Sequence, residues 1–359
     1  MKIGIMTFPN MTSYGCSMQM YGLYRAVELA GGSAEIINYQ NNYMKSGGHT
    51  SSGKKKLKRL ASKVLHSRTI RGFRNFENRM AKFPADPVHE AERLPELAKR
   101  YGGVICGSDQ VWNPHITDTD LSYFLNFCGP ETNRIGYAPS FGISEFSEDF
   151  KKKIGPELKG FSSLSVREAD GARMVAELTG REVATVLDPT FLIPRKEWEA
   201  VEKPHPLANG KYVLYFPVRP SAALLRYSRE LAEKRGATLV VAESNYIRCL
   251  KNKDPKVKFA LDIAPEEWLN FFHHADCVVT NSFHGAAFAI HYHRDFYLDL
   301  SSRTNSRLNQ LMEITGLQNR IIGDNAAPWD AAIDWNDVEA KLAPEREKSL
   351  GYLRQAIGQ

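Results

Sequence analysis

The chain has 359 residues, 43% hydrophobic and 25% charged, the balance of a folded protein with room for about two domains. That composition excludes a disordered chain, a fibrous chain and a small disulfide scaffold, and no run of about 18 apolar residues is present to span a membrane. The formal charge of +6 is uneven: from Lys54 to Lys82 eleven Lys or Arg face the single acid Glu77, so this segment carries +10 and the remainder −4, which argues against the broad basic footprint of a dedicated nucleic-acid binder.

The opening MKIGIMTF is too short an apolar run for a cleavable signal and meets Pro9 at once, so it reads as a buried first strand and the expected location is the cytoplasm. Met20, Leu23, Val27 and Ala30 then recur at helical spacing until Gly31-Gly32 stops the helix. A strand is predicted from Ala34 to Tyr39, and a basic helical segment from Lys55 to about Lys82 with Leu57, Leu60, Val64, Phe73 and Phe76 as its apolar positions. Further strands are predicted at 104–106, 134–138, 164–166 and 183–187, with a helix over 169–178. The stretch 194–210, with three prolines and an Asn-Gly, is the linker candidate. The pattern then restarts: strands at 212–216, 238–242, 277–280 and 296–300, helices over 222–234 and 265–272 and from near His284, and a charged helix from Trp335 to Ile357. There is no internal repeat and no low-complexity tract.

Strands alternating with helices predict parallel sheets covered on both faces. The expected architecture is α/β, with two Rossmann-like domains, 1–195 and 196–359, facing across a cleft. In open parallel sheets ligands bind beyond the carboxyl ends of strands, so the residues that follow each strand carry the functional information.

Four strand exits stand out. In CVVTNSFHG (277–285) the polar Asn281 and Ser282 lead into a small-residue helix whose free N–H groups suit a phosphate or carboxylate. His284 at that helix start can exchange a proton near neutral pH; the alternative is a capped helix with one buried imidazole. In VICGSDQVWNP (104–114) Ser108 can donate to an anion, Asp109 can accept from a sugar hydroxyl and Trp112 can stack on a sugar ring, or the segment is a capped turn around a packed indole. In SVRE (165–168) Arg167 can hold a carboxylate or phosphate through two parallel hydrogen bonds, or pair with a neighbour such as Glu168. The first crossover, Phe8 to Gln19, has no GxGxxG, and no GxxxxGK[ST] exists anywhere, which removes the dinucleotide and P-loop readings.

Other features read as bland. Five cysteines without a CxxC give neither a zinc spacing nor a disulfide framework, and Cys106 and Cys277 lie in apolar strands as small hydrophobes. His291 and His293 lie two apart and His273-His274 one apart on predicted helices, so their rings should diverge. Asp118 and Asp120 lack supporting acids. No metal site is expected. The basic segment is a solvated face, or else it attracts an anionic lipid headgroup or a phosphorylated acceptor.

Taken together, Tyr14-Gly15 with Gln19, VICGSDQVWNP, RIGYAPSFG (134–142), SVREADGARM (165–174), VLDPTFLI (186–193), PEEWLNFFHHADCVVTNSFHG (265–285) and the RLNQL stretch from Arg307 resemble the polysaccharide pyruvyltransferase family, in order and over about 3–320. The resemblance implies a GT-B-like fold and transfer of a pyruvyl group from phosphoenolpyruvate to sugar hydroxyls, forming a pyruvate ketal on a cell-surface glycan or its lipid-linked precursor. It carries the family's histidine onto His284 and its donor-side arginine onto Arg167. On that expectation Ser108, Asn281, Ser282, Gly285 and Arg307 hold the donor, Gln19, Asp109 and Trp112 face the acceptor, and no cofactor is needed. The competing functions are a GT-B nucleotide-sugar glycosyltransferase and a non-catalytic glycan- or anion-binding protein.

Overall fold

The computed structural model describes residues 1–41, 67–85, 88, 90–242, 249, 252–300 and 306–358. The basic segment expected from Lys54 falls outside the described residues as far as 66, and with it Leu57, Leu60 and Val64. Two compact units emerge, Met1–Ile193 with Pro344–Gln359, and Pro194–Ala343.

The first unit holds β1 (Lys2–Met6), β2 (Ser33–Ile36), β3 (Gly103–Cys106), β4 (Asn133–Gly136), β5 (Ser163–Val166) and β6 (Ala184–Thr185). They form one parallel sheet in the order β2-β1-β3-β4-β5-β6. The central strands β1 and β3 are buried apolar runs because both faces are covered there. Met6, Val104 and Cys106 join a core with Trp112 and Phe141, while Ile3, Ile5 and Ile105 join another with Leu23 and Val27. The winding reverses between β1 and β3, which makes that gap the switch point where following loops part and ligands gain access.

The helix Tyr14–Leu29 enters from β1 with Ser13 as its N-cap. It can lie against the turn Pro189–Leu192 because position 22 is glycine: a Cβ there would stand 2.9 Å from the Pro189 carbonyl oxygen. Gly31, at φ 88°, then takes the left-handed turn that ends the helix.

The described part of the basic segment is the helix Ser67–Met80. Its outer face carries the exposed Arg68, Arg71, Arg74 and Arg79, while Phe73, Phe76 and Glu77 are buried. Phe73 packs on Tyr14, with ring centroids 4.9 Å apart. Glu77 accepts hydrogen bonds from the Asn10 backbone N–H at 2.8 Å and from the Ser17 hydroxyl at 2.9 Å. The helix is therefore a clamp on the first crossover as well as a basic face, and the acid that looked incidental in sequence is its contact point.

The second unit holds β7 (Tyr212–Phe216), β8 (Thr238–Val241), β9 (Val257–Phe259), β10 (Cys277–Thr280) and β11 (Asp295–Leu298). The sheet is parallel in the order β11-β10-β7-β8-β9, and the switch point falls between β7 and β10.

Three expectations need correction. The stretch 194–210 is not a linker: it contains the helix Arg195–Val201, whose Trp198 is fully buried with its ring 4.9 Å from Phe288. Three prolines mark turns and a helix start here, because an indole on the inner face supplies the burial that a spacer lacks. The charged helix Trp335–Ala356 does not belong wholly to the second domain, as a division at 195/196 requires. After Pro344 it joins the first unit, where Leu353 and Ile357 enter the Ile3–Ile5 core, the Leu187 N–H donates to Ser349 Oγ at 2.9 Å and Tyr352 donates to the Gly136 carbonyl at 2.8 Å. Finally, β9 and the helices Glu148–Lys159 and Ser306–Thr315 occupy stretches for which the sequence pattern predicts no element.

Burial pushes the Glu77 carboxyl up to about 7, against the lowering effect of the bonds from Asn10 and Ser17. An acid that holds its proton more tightly when folded costs stability as pH rises from its unfolded value to its folded one. The wild-type chain should therefore lose stability between about pH 4.5 and 7 through this group and lose no more above it. Glu77→Gln should gain on the wild type by on the order of 2 kcal/mol between pH 5 and pH 8. Denaturant unfolding of both proteins at the two pH values measures this; a constant difference would remove Glu77 as the titrating group.

Candidate functional site

In the second unit, the chain leaves β10 at Thr280 and enters the helix Phe283–His291 with Ser282 as N-cap, its hydroxyl accepting from the Gly285 N–H at 3.2 Å. Thr280 Oγ1 accepts from the Ser282 N–H at 3.0 Å and itself donates to the Phe216 carbonyl at the end of β7. The side chain of Asn281 spans the switch point. Its oxygen accepts from the Val218 and Arg219 N–H groups at 2.8 and 3.3 Å, and its amide donates to the Arg219 carbonyl at 2.8 Å. A single Asn thus holds the loop after β7 in one shape, and Val218, 64% exposed, and Arg219 are presented outward.

His284 lies in the first turn of this helix, 8% exposed, with its ring edge-on to Phe283 at 5.2 Å. Gly285 has a local reason to be glycine: a Cβ there would collide with Thr280 Oγ1. The close approach expected for a ligand is made by the chain's own threonine. Asn281 and Ser282 likewise use their side chains on the loop and the cap, so they shape the site. Arg307 stands half-buried in the first turn of the helix Ser306–Thr315, which packs against Phe283–His291.

In the first unit the switch point is ionic. The Arg167 side chain is 3% exposed and surrounded by carboxylates: Asp188 at 2.8 Å, Glu168 at 3.4 Å and Asp109 at 4.0 Å. Burial alone would lower the guanidinium pKa, but Glu168, Asp188 and Asp109 outweigh it and the net shift is upward. Asp188 also accepts from the Ser108 hydroxyl at 2.9 Å and from both the N–H and hydroxyl of Thr190, at 3.0 and 2.8 Å. Asp109 holds a left-handed φ of 75°, steadied by its own carboxylate accepting from the Gln110 N–H at 2.8 Å. Its other oxygen accepts from the Cys16 thiol at 3.1 Å. Burial and then the Asp109 charge push that thiol well above its ordinary value, so Cys16 is a hydrogen-bond donor and not a thiolate nucleophile.

These contacts revise several expected roles. Arg167 is held by three acids of its own chain and does not present an open fork to an anion. Ser108 donates to Asp188 and is fully buried. Trp112 is fully buried too, stacked on Phe124 at 5.1 Å and donating to the Tyr123 carbonyl at 2.9 Å; no ring face is left for a sugar. Gln19 points inward to Thr7 at 2.7 Å and the Cys16 carbonyl at 2.9 Å. Of the expected acceptor residues, Asp109 alone reaches the partly exposed edge. Asp188 and Arg219 were missed. The signal for each was the strand exit itself, Val-Leu-Asp-Pro at 186–189 and Phe-Pro-Val-Arg at 216–219, one element away from motifs that drew more notice.

A buried arginine stripped of its nearest acid leaves an uncompensated charge. Asp188→Ala should destabilise the first unit by about 3–5 kcal/mol, read as a lower denaturant midpoint; a change below about 1 kcal/mol would mean the cluster is solvated.

Comparison with solved structures supports the two-unit description. The chain is similar to a putative UDP-N-acetylglucosamine 2-epimerase from Listeria monocytogenes, with 9% identity, 99% of this chain and 90% of that one covered, and a TM-score of 0.54. It is similar to MnaA of S. aureus, solved with UDP, at 10% identity, 99% and 90% coverage and a TM-score of 0.53. It also resembles Anabaena HepE, solved in complex with UDP and glucose, at 10% identity, 100% and 95% coverage and a TM-score of 0.50. At such identities the likeness shows the fold: two Rossmann-like units of the GT-B kind. A search of curated proteins finds no match. A family model described as polysaccharide pyruvyl transferase matches residues 14–298, a span that holds Asp109, Arg167, Asp188, Arg219 and His284. The chain belongs to the polysaccharide pyruvyl transferase family.

Proposed function

We propose that this transferase moves the pyruvyl group of phosphoenolpyruvate onto two hydroxyls of a sugar in a glycan or its lipid-linked precursor, forming a ketal. The observation that carries the reading is His284 in the first turn of a helix at the second unit's switch point, within the span matched by the family. Phosphoenolpyruvate is small and strongly anionic. The positive end of the Phe283–His291 helix and the exposed Arg219 supply what its carboxylate and phosphate need, with Arg307 on the neighbouring helix as a further cation. Arg167 acts as a positioning residue that holds Asp109 at the first unit's switch point, where a carboxylate suits a sugar hydroxyl.

In the proposed reaction a proton is delivered to the methylene carbon, leaving an oxocarbenium-like centre at C2. One sugar hydroxyl adds to C2, the C2–O bond to phosphate breaks, and a second hydroxyl closes the ketal. Of the two hydroxyl protons, one balances the methyl group formed and the other leaves on phosphate. His284 is the acid–base group, moving the proton between hydroxyl and carbon or to the departing phosphate. The exposed arginines of the helix Ser67–Met80 suit an acceptor that carries a phosphate-bearing lipid. Nucleotide-sugar transfer is the second reading, favoured by the likeness to structures solved with UDP.

His284→Ala should lower turnover about a hundredfold or more with unchanged unfolding. Arg219→Ala should raise KM for phosphoenolpyruvate about tenfold or more and change kcat less. Mass spectrometry of sugar acceptors incubated with phosphoenolpyruvate reads both. A folded His284→Ala protein with full activity would overturn the role of the imidazole. Calorimetric binding of UDP-sugars, with none of phosphoenolpyruvate, would favour the second reading.

A further inference from the structure

The second unit carries a cluster of metal-ligand type away from its switch point. The helix Pro265–His274 ends in two histidines, and the chain leaving the helix Arg195–Val201 brings Glu202 to them. Adjacent histidines in mid-helix diverge by about 100°, which is why the sequence makes them a poor pair. Here they occupy the last turn, and the following Ala275 is extended. The rings lie with centroids 4.6 Å apart, inclined by 34°. His273 Nδ1 is 3.0 Å from Glu202 Oε2, and His274 Nε2 is 3.7 Å from Glu202 Oε1. The three ligand atoms lie within 4.8 Å of one another.

We propose that Glu202, His273 and His274 form a binding site for a divalent cation of the zinc class. Two imidazoles and one carboxylate are the donor set such ions take, with solvent completing a tetrahedron. With metal–ligand bonds of about 2.0–2.1 Å, neighbouring ligand atoms in a tetrahedron stand about 3.3 Å apart, so the present spacings need only small side-chain adjustments. Tyr292 stacks on His273 at 4.7 Å and 18°, which fixes that ring. With Nδ1 turned to a metal, His273 Nε2 carries the proton and can donate a hydrogen bond to Glu199 Oε1, now 3.7 Å away, once the two close up, the outer partner that such ligands usually have. Lys203 is engaged with Glu266 at 3.0 Å and Arg195 with Glu199 at 2.7 Å, while Arg195 Nη2, 3.4 Å from His273 Nε2, has to draw back when that nitrogen carries the proton. A bound ion would pin the chain entering this unit to the end of the Pro265–His274 helix. The proposal is independent of the transfer reaction.

The test is calorimetric titration of the full chain with zinc chloride at pH 7.5, together with His274→Ala and Glu202→Gln. The His274 side chain is 47% exposed, so its removal spares the core. One zinc per chain is expected, with affinity reduced tenfold to about a hundredfold or more in each variant, and an unfolding temperature that zinc raises in the wild type alone. No uptake by the wild type, or uptake equal in wild type and both variants, would overturn the site.

Discussion

The carboxyl edge of the first unit's sheet is organised around one buried cation. Taking a guanidinium out of water is costly, and only well-placed, hydrogen-bonded carboxylates repay it. Arg167 has Asp188, Glu168 and Asp109 around it, and these come from the ends of three strands. Two of the acids have further bonds: Asp188 to Ser108 and Thr190, Asp109 to Cys16 and Gln110. The cluster therefore couples the β3, β5 and β6 exits to the start of the Tyr14–Leu29 helix. It explains how Asp109 is kept at a positive φ, a conformation that surroundings must enforce in a non-glycine residue.

The second unit solves the same problem without charge. Asn281 makes three hydrogen bonds to the backbone after β7, and Thr280 and Ser282 tie the strand end to the helix start. A neutral frame leaves the helix N-terminus as the dominant electrostatic feature near His284, which suits an anion. The contrast gives the units different chemical characters: acids around a sequestered arginine in one, dipoles and an exposed arginine in the other.

Family and fold carry different weight. Structures sharing about a tenth of their residues with this chain have its two-unit plan, and a shared fold settles no chemistry. The family match covers the exits of β3, β5, β6, β7 and β10, where Asp109, Arg167, Asp188, Arg219 and Asn281 stand. The first crossover adds a further layer, since the helix Ser67–Met80 sets Glu77 beneath Asn10 and Ser17. A segment notable in sequence only for its charge proves to support the loop beside the switch point.

The sequence by itself determined the α/β class, nearly every strand, and the fact that Asn281, His284, Asp109 and Arg167 follow strands. Hydrophobic runs broken by polar exits are local patterns, and parallel sheets convert them directly into position. Tertiary structure decided what those residues do. Whether Arg167 meets solvent or Asp188, whether Trp112 faces a sugar or Phe124, and whether Gly285 admits a ligand or Thr280 depends on partners distant in sequence. The C-terminal helix shows the same limit, because its attachment to the first unit rests on Leu353 and Ser349 meeting strands that begin the chain and end its first domain. Periodicity describes one element at a time, whereas burial and pairing are properties of elements brought together.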